Sequence, residues 1–379
     1  MAGSRRAYTI VVLLVVAFIL YGSLYPFQFH PRPSAQGPLA YLLSTRHHWD
    51  HSVDLLSNIL LYIPFGFFGV CVFGRWGALP VTIAAAALAT GVELAQFFDQ
   101  GRVTSMGDVY ADTIGGGIGA AIAVVVGAGV QWPFLRELRA DPAAALVLLM
   151  WFAYRIYPYV PVTAVHKYSR ALAPFVFGPA TIPLDVARFA IAWAGIGAIL
   201  DALYGARRAL FLLPLAMAGE FLGRILIVDA TLKPADVIGA ALAFAAWILL
   251  RRVGQTRFVI IALAFIGMII VARLEPFDFS MPPHAFGWIP FASFMRGSIG
   301  VAMQAFCEKF FQYGGLIWLL CQLGLRTGSA TVVTVLLLFT TSWAETYVPG
   351  RSAEITDAAM ALVIGCAFAL LGAPSRRPS

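Results

Sequence analysis

The chain has 379 residues, of which 60% are hydrophobic and 12% charged, and its formal net charge is +7. With a mean hydropathy of +0.82, this composition excludes an ordinary soluble domain and indicates an all-α polytopic membrane protein. The positive charge comes from short arginine-rich segments between apolar runs. Because no basic tract with interleaved aromatic residues lies outside those runs, the charge does not indicate nucleic-acid binding.

Twelve apolar segments are long enough, at about 1.5 Å per residue, to cross roughly 30 Å of hydrocarbon as helices. The predicted spans are 7–24, 54–73, 78–98, 108–130, 142–157, 185–203, 208–228, 235–250, 257–274, 303–324, 329–347 and 356–372. The first span follows the basic segment MAGSRR. Since no small-residue cleavage site follows it cleanly, we interpret it as a retained helix and not as a signal peptide.

Arginines concentrate in every second connection between the spans. If the N-terminus is cytoplasmic, the inner segments hold thirteen cations against three acids. Short loops with such a bias are the ones that the positive-inside rule weighs, so both termini are predicted to face the cytoplasm.

Three polar triplets recur along the chain at nearly equal intervals. They are Glu93, Arg102, Asp108; Glu220, Arg224, Asp236; and Glu345, Arg351, Asp357. A matching phrase follows the first span of each group: YPFQF at 25–29, YPYVP at 157–161 and EPFDF at 275–279. Pro276, Glu345 and Asp357 follow their first counterparts by 250, 252 and 249 residues, and the middle landmarks fall about halfway. The pattern predicts three tandem four-helix units in parallel orientation, at 1–130, 142–250 and 257–372.

With this topology every triplet lies at the outer ends of the third and fourth spans of its unit. The second span of the first unit adds Asp54 and Asn58, which are four residues apart and therefore on one helical face. The sequence thus predicts a polar pocket at the outer boundary, formed by Asp54, Asn58, Glu93, Arg102 and Asp108, and Asp112 continues that face inward. There the carboxylates would act as acid or base or bind a cation, and the arginine would hold an anion such as phosphate.

A structural interpretation of the triplets stays open beside the functional one. In it, Glu and Arg form an ion pair that clamps the outer turn, and Asp caps the following helix, where an acid favours the helix dipole. Asp357, which follows Thr356, fits a cap easily. Glu93 fits less well because it lies inside an apolar run, so the first unit is the best candidate for an intact site.

No cofactor or metal is predicted. His47 and His51 are four residues apart, but no second cluster completes a four-ligand site. The four cysteines all fall within spans, without a CxxC pair, and are interpreted as small packing residues. Signatures such as a Walker loop, GxSxG or HExxH are absent from the sequence.

Small residues predict one site of close helix packing. In the run GGGIG, Gly115 and Gly119 are four residues apart, a spacing that lets helix backbones approach closely. Pro64 and Pro214 lie inside predicted spans, where they are expected to kink the helix.

The first unit resembles the VanZ-like family of small bacterial membrane proteins. The resemblance lies in DLLSNILLYIPFGFFG at 54–69, VELAQFFDQGR at 92–102 and SMGDVYADTIGGGIG at 105–119. The positions that match the family's pattern are Asp54, Asn58, Pro64, Gly66, Glu93, Gln96, Arg102 and Asp108. Asp112 stands where the family usually has Asn, and the match is looser in the third unit and weakest in the middle one.

The resemblance implies a multi-pass protein of the bacterial cytoplasmic (inner) membrane, but it does not supply a reaction. The family is named for a member that lowers susceptibility to the glycopeptide teicoplanin. We therefore expect a protein that acts at the outer face on a lipid-linked or cell-envelope precursor, glycan or peptidoglycan, and that binds membrane lipids, including an anionic lipid head group.

Two other functions remain alternatives. One is a non-enzymatic membrane scaffold for an envelope or polysaccharide assembly. The other is a secondary transporter or flippase, since twelve spans with internal repeats are a common transporter form. The position of the charged groups at the outer ends of the spans, away from the midplane, argues against transport.

Overall fold

The protein is described from a computed structural model that covers residues 2–24, 27, 29–30, 37–46, 52–99, 104–127, 137–138, 140–159, 165–178, 182–228, 230–296 and 298–372. Its α-helices are α1 (Ala2–Leu24), α2 (Pro38–Ser44), α3 (Ser52–Phe73), α4 (Ala78–Gln96), α5 (Met106–Gly127), α6 (Pro142–Arg155), α7 (Val165–Leu172), α8 (Pro174–Phe177), α9 (Pro183–Tyr204), α10 (Ala206–Leu226), α11 (Pro234–Leu250), α12 (Thr256–Leu274), α13 (Ala292–Arg296), α14 (Ile299–Gln322), α15 (Thr327–Glu345) and α16 (Thr356–Leu371). Short 3₁₀ turns lie at Arg75–Gly77 and Arg251–Val253.

The long helices confirm the all-helical prediction, and each predicted span overlaps one of them. Within the described residues, seven helical segments are long and apolar enough to cross a membrane: Arg75–Gln96, Met106–Val125, Pro183–Tyr204, Ala206–Leu226, Pro234–Val253, Thr256–Leu274 and Thr327–Glu345. Four shorter apolar helices accompany them, at Tyr8–Leu24, Asn58–Phe73, Pro142–Arg155 and Thr356–Leu371. The protein is therefore a multi-pass membrane protein, and the number of twelve crossings stays a prediction.

Prolines and one acidic cap fix where several helices begin. Pro142, Pro183 and Pro234 stand in the first helical turn, where the missing N–H would have no intrahelical partner in any case. Asp141 caps α6, because its carboxylate accepts a hydrogen bond from the Ala144 backbone N–H at 3.0 Å. These residues define where the helices begin, whereas the helix interiors are marked only by their apolar composition.

The chain divides into two compact units, Met1–Trp132 with Phe294–Met303, and Pro133–Ser293 with Gln304–Ser379. In the N-terminal unit, α3 packs so closely on α5 that backbones touch. A Cβ added at Gly115 or Gly119 would lie 2.2 Å from the carbonyl oxygen of Ile59 or 2.0 Å from that of Ile63. The predicted close packing at these two glycines is confirmed.

The second unit is built around a core of large aromatic side chains. Trp151 lies against Phe311 and Trp193, with ring centroids 4.7 Å and 5.7 Å apart. Phe265 continues the cluster, 5.8 Å from Phe311. The indole N–H of buried Trp318 donates to the Asp141 carboxylate at 3.0 Å, so a polar group in this core has a partner.

The same backbone turn follows α1, α6 and α12. Phe27, Tyr159 and Phe277 adopt φ values of 62°, 66° and 62°, in the left-handed region that non-glycine residues rarely occupy. The backbone N–H of each donates to the carbonyl three residues earlier, at 2.7, 3.0 and 2.6 Å. Each is the third residue of one of the three matching phrases, so the phrases agree in the conformation of that residue as well as in sequence.

Candidate functional site

The second triplet is part of a buried cluster of four charged side chains. Arg155, the last residue of α6, donates from Nε to Glu220 Oε1 at 2.7 Å and from Nη2 to Asp236 Oδ1 at 2.6 Å. Arg224 Nη1 lies 3.0 Å from Asp236 Oδ2 and 3.7 Å from Glu220 Oε1. Glu220 and Asp236 are 0% and 1% exposed. Two carboxylates are thus matched by two guanidinium groups.

Asp236 also shapes the helix that carries it. Its Oδ2 accepts a hydrogen bond from the Lys233 backbone N–H at 2.8 Å, which is the contact of a helix cap. Arg155 in turn lies over the ring of Phe189, with Cζ 4.4 Å from the ring centroid. The cluster therefore ties the end of α6 to α9, α10 and α11.

The third triplet has the same arrangement around a different arginine. Arg273, near the end of α12, pairs with Asp357 through Nη1. Its Nη2 lies 2.6 Å from Glu345 Oε2 and donates to Ser342 Oγ at 2.7 Å. Lys309 Nζ lies 2.6 Å from Asp357 Oδ1. Two carboxylates again face two cations.

Arg351, the arginine named by the third triplet, does not complete this cluster. Its Nε and Nη2 donate to the carbonyl oxygen of Glu275 at 3.1 and 2.6 Å. Among the described residues it makes no hydrogen bond or ion pair with Glu345 or Asp357. It fastens the loop after α15 to the turn after α12, as a clamp would.

The pairing arginines were missed from the sequence, although a signal was present. Arg155 and Arg273 each stand three residues before the proline of their phrase, Pro158 and Pro276. An arginine at the end of an apolar run is also a sign of membrane topology, so the sequence pattern does not assign either residue to a triplet. At the same position of the first unit stands Ser23.

Ser23 makes an uncharged contact at the position where Arg273 makes a charged one. Its carbonyl oxygen accepts a hydrogen bond from Gln96 Nε2 at 2.9 Å. Gln96 ends α4 as Glu345 ends α15, and each lies twelve residues before the aspartate of its triplet. By these contacts the counterpart of Glu345 is Gln96, and Glu93 lies one helical turn earlier.

In the N-terminal unit, Asn58 and Asp108 lie near the N-terminal ends of α3 and α5, and Glu93 lies near the C-terminal end of α4. Asn58 Nδ2 donates to Asp108 Oδ1 at 2.7 Å and joins α3 to α5. Glu93 is 3% exposed and accepts a hydrogen bond from the Ser105 backbone N–H at 2.8 Å. Arg102 and the side chain of Asp54 lie outside the described residues, as do His47 and His51.

A second pair of polar side chains lies one helical turn deeper. Tyr62 follows Asn58 by four residues on α3, and Asp112 follows Asp108 by four on α5. They are 1% and 6% exposed and close enough to interact electrostatically. The two side chains interact with each other, so this pair joins α3 to α5 a second time, below the bond between Asn58 and Asp108.

The fold and these clusters define a class: a multi-pass helical membrane protein with buried clusters of charged side chains. Residues 8–127 match the family model described as VanZ/LLP1, so the N-terminal region is VanZ-like, as its sequence resemblance implied. The match includes Asn58, Glu93, Arg102 and Asp108 and ends before the second triplet. No curated protein and no solved structure matches the chain.

Proposed function

We propose that this is a VanZ-like protein of the bacterial cytoplasmic membrane that acts at the outer face on or near a lipid-linked precursor of the cell envelope. The N-terminal unit is the working site in this proposal. The family match to residues 8–127 supports the proposal, together with the position of the polar groups at helix ends. Both termini then face the cytoplasm, in keeping with the arginine bias of the short loops.

The proposal includes a threefold organisation of four-helix units and twelve membrane crossings. Its support is the turn shared by Phe27, Tyr159 and Phe277, and the arginine that stands three residues before the proline in two of the three phrases. In the second and third units the clusters serve as helix clamps, because each carboxylate is neutralised by cations of the same cluster.

One observation carries the assignment of the site to the first unit. Where the other units have a buried arginine, this unit has Ser23, whose side chain brings no charge to the neighbouring helices. The unit nevertheless keeps Glu93 and Asp108 and has a further buried acid, Asp112. Polar groups inside membrane segments are costly, and a site for a ligand is the usual reason for their presence. Arg102 is the residue proposed to hold an anionic head group.

The proposal is tested by binding of undecaprenyl diphosphate to the purified full-length protein, measured by native mass spectrometry. Arg102→Ala is expected to weaken binding by at least about tenfold, because a charge-assisted hydrogen bond contributes about 1.5–3 kcal/mol. Arg75→Ala is the matched control, since Arg75 is an exposed cation of the same unit before the start of α4. Its binding should stay within about twofold of the wild type.

Protein yield and thermal unfolding distinguish a ligand-binding role of Arg102 from a structural one. If Arg102→Ala lowers yield and melting temperature together with binding, Arg102 is structural. If the wild type does not bind, or if Arg75→Ala loses as much binding as Arg102→Ala, the proposal fails. Glycopeptide susceptibility of cells that express the two variants gives a second readout at normal protein abundance.

A non-enzymatic scaffold for an envelope or polysaccharide assembly is the second candidate. It is favoured by the internal neutralisation of the Glu220–Asp236 and Glu345–Asp357 clusters, which leaves those units a structural role. Pull-down of a stoichiometric partner by both the wild type and Arg102→Ala would support it. Loss of that partner on Arg102→Ala alone would argue against it.

A further inference from the structure

A cavity of about 340 Å³ lies in the second unit, beside the start of α11. We call it the α7–α8 cavity. Arg170 of α7 and Pro174 and Phe177 of α8 line one side of it. Ile182 and Asp185 at the start of α9 line another, and Lys233 before α11 completes it. Its size falls in the range of small-ligand pockets.

Backbone contacts hold the two cationic walls of this cavity side by side. Buried Lys167 of α7 donates from Nζ to the carbonyl oxygens of Ala230 and Arg224, at 2.5 and 3.3 Å. The Leu232 backbone N–H donates to the Ala171 carbonyl at 3.0 Å. Because these bonds join the neighbours of Arg170 and Lys233, the two cavity cations are fixed near each other.

Arg170 and Lys233 differ from the other cations of this region in having no assigned partner. Both are exposed, and within the described part of the chain their side-chain nitrogens make no hydrogen bond or ion pair. The acid of the cavity, Asp185, is paired with Arg188 at 3.6 Å, and Arg188 also pairs with Glu275 at 2.9 Å. Among the described residues that line the cavity, two cations therefore stand beside one acid, and that acid is already paired.

The start of α11 adds to that positive field. Pro234 occupies its first turn, and the axis of this 17-residue helix begins at the cavity wall. The N-terminal end of a helix carries a partial positive charge that favours anions. Together with an arginine and a lysine it forms a surface suited to phosphate, which Arg binds through two parallel bonds and Lys as a point charge.

The wall next to these cations is apolar and uncovered. Phe177 is 86% exposed and Ile182 56%, and Val176 of the same short helix is 75% exposed. Cations beside exposed apolar side chains are the arrangement by which proteins hold anionic lipids at a membrane boundary. A free anion would use only the cationic half of this surface.

We propose that the α7–α8 cavity binds the phosphate group of an anionic lipid. Arg170 and Lys233 contact the phosphate, and Phe177 and Ile182 contact the lipid's chains. The site lies outside the N-terminal unit and does not depend on Arg102. A negative result at this site would therefore leave the proposed function intact, and the reverse also holds.

The test uses native mass spectrometry of the detergent-purified full-length protein with dioctanoyl phosphatidic acid. The double variant Arg170→Gln/Lys233→Gln is expected to weaken binding by at least about tenfold, since it removes both charge-assisted contacts. The matched control is Arg208→Gln/Arg252→Gln, which removes two exposed cations of the same unit that lie away from the cavity. Arg170→Lys, which keeps the charge but cannot donate two parallel bonds, should weaken binding less than the double variant does.

Three further measurements distinguish a lipid phosphate from free phosphate and define the results that would overturn the site. Dioctanoylglycerol, which has the same chains without phosphate, and inorganic phosphate are both expected to bind at least about tenfold more weakly than the phosphatidic acid. Inorganic phosphate binding as tightly would overturn the lipid part of the proposal. Equal losses in the cavity variant and its control, or no binding by the wild type, would overturn the site. Arg102→Ala removes lipid bound at the first unit, and the binding that remains in that variant should still be lost on Arg170→Gln/Lys233→Gln.

Discussion

Replacing Arg273 with Met tests whether the buried charge clusters hold the helices together. Arg273 joins the end of α12 to Glu345 at the end of α15 and to Asp357 at the start of α16. It is 8% exposed. Met has a side chain of similar length without charge, so the substitution removes the guanidinium while filling much of its volume. Lys309 stays paired with Asp357, and Glu345 loses its cation.

The expected cost follows from the contacts. An ion pair at the 2.6 Å separation of Arg273 and Glu345 is worth roughly 6 kcal/mol at an effective dielectric of about 20, before desolvation is counted. Desolvation cancels much of that energy. Removing one partner of a buried pair nevertheless costs about 3–5 kcal/mol, because the other charge is left uncompensated. Since Lys309 compensates Asp357, we expect about 3 kcal/mol, or roughly a hundredfold in the ratio of folded to unfolded protein.

The assay is equilibrium unfolding of the detergent-solubilised protein in an SDS titration, followed by tryptophan fluorescence. Arg326→Met is the matched control, because Arg326 is exposed before α15 and its loss should change the free energy of unfolding by no more than about 0.5 kcal/mol. Adding Glu345→Gln to Arg273→Met removes the stranded charge and should recover at least about half of the loss. An Arg273→Met protein within about 1 kcal/mol of the control would refute the clamp.

Two further predictions use the same titration. Gly119→Ala should lose at least about 1–3 kcal/mol, because its Cβ would lie 2.0 Å from the Ile63 carbonyl oxygen and force α3 and α5 apart. Its control Gly117→Ala meets only ordinary contact at 3.6 Å and should be neutral or stabilise by up to about 1 kcal/mol. Asp141→Ala should cost about 1–3 kcal/mol, because it removes the cap of α6 and strands the Trp318 indole N–H. Adding Trp318→Phe should then cost less than it does in the wild type, and equal costs would show that the two side chains are not coupled.

Hydropathy predicts the helices of this protein well because the bilayer demands that backbone polar groups be satisfied within each segment. The close approach of α3 and α5 was also readable, since only glycine at positions 115 and 119 leaves space for a neighbouring backbone. The short helices α7 and α8 were not predicted. Their residues carry too few consecutive apolar side chains for a span, and their position depends on the bonds of Lys167 to α10 and to the loop before α11.

The candidate site was predictable in part. The acids of the triplets could be found because glutamate and aspartate are rare in apolar runs. Their basic partners could not be found from the sequence, since Arg155 and Arg273 lie 65 and 72 residues before Glu220 and Glu345. Which distant cation reaches a buried acid is decided by helix packing, and the nearer candidate Arg351 reaches a carbonyl oxygen instead.

The composition of the clusters separates the units by what they can do. The second and third clusters each combine two carboxylates with two cations, so they hold helices together and offer little charge to a ligand. In the first unit Ser23 stands where the other two units have a buried arginine, so the end of α1 brings no positive charge to the buried acids Glu93 and Asp112. Buried acids in a membrane segment cost free energy, and a functional site is the usual reason that they are kept. This difference in charge distinguishes the first unit from the two clusters.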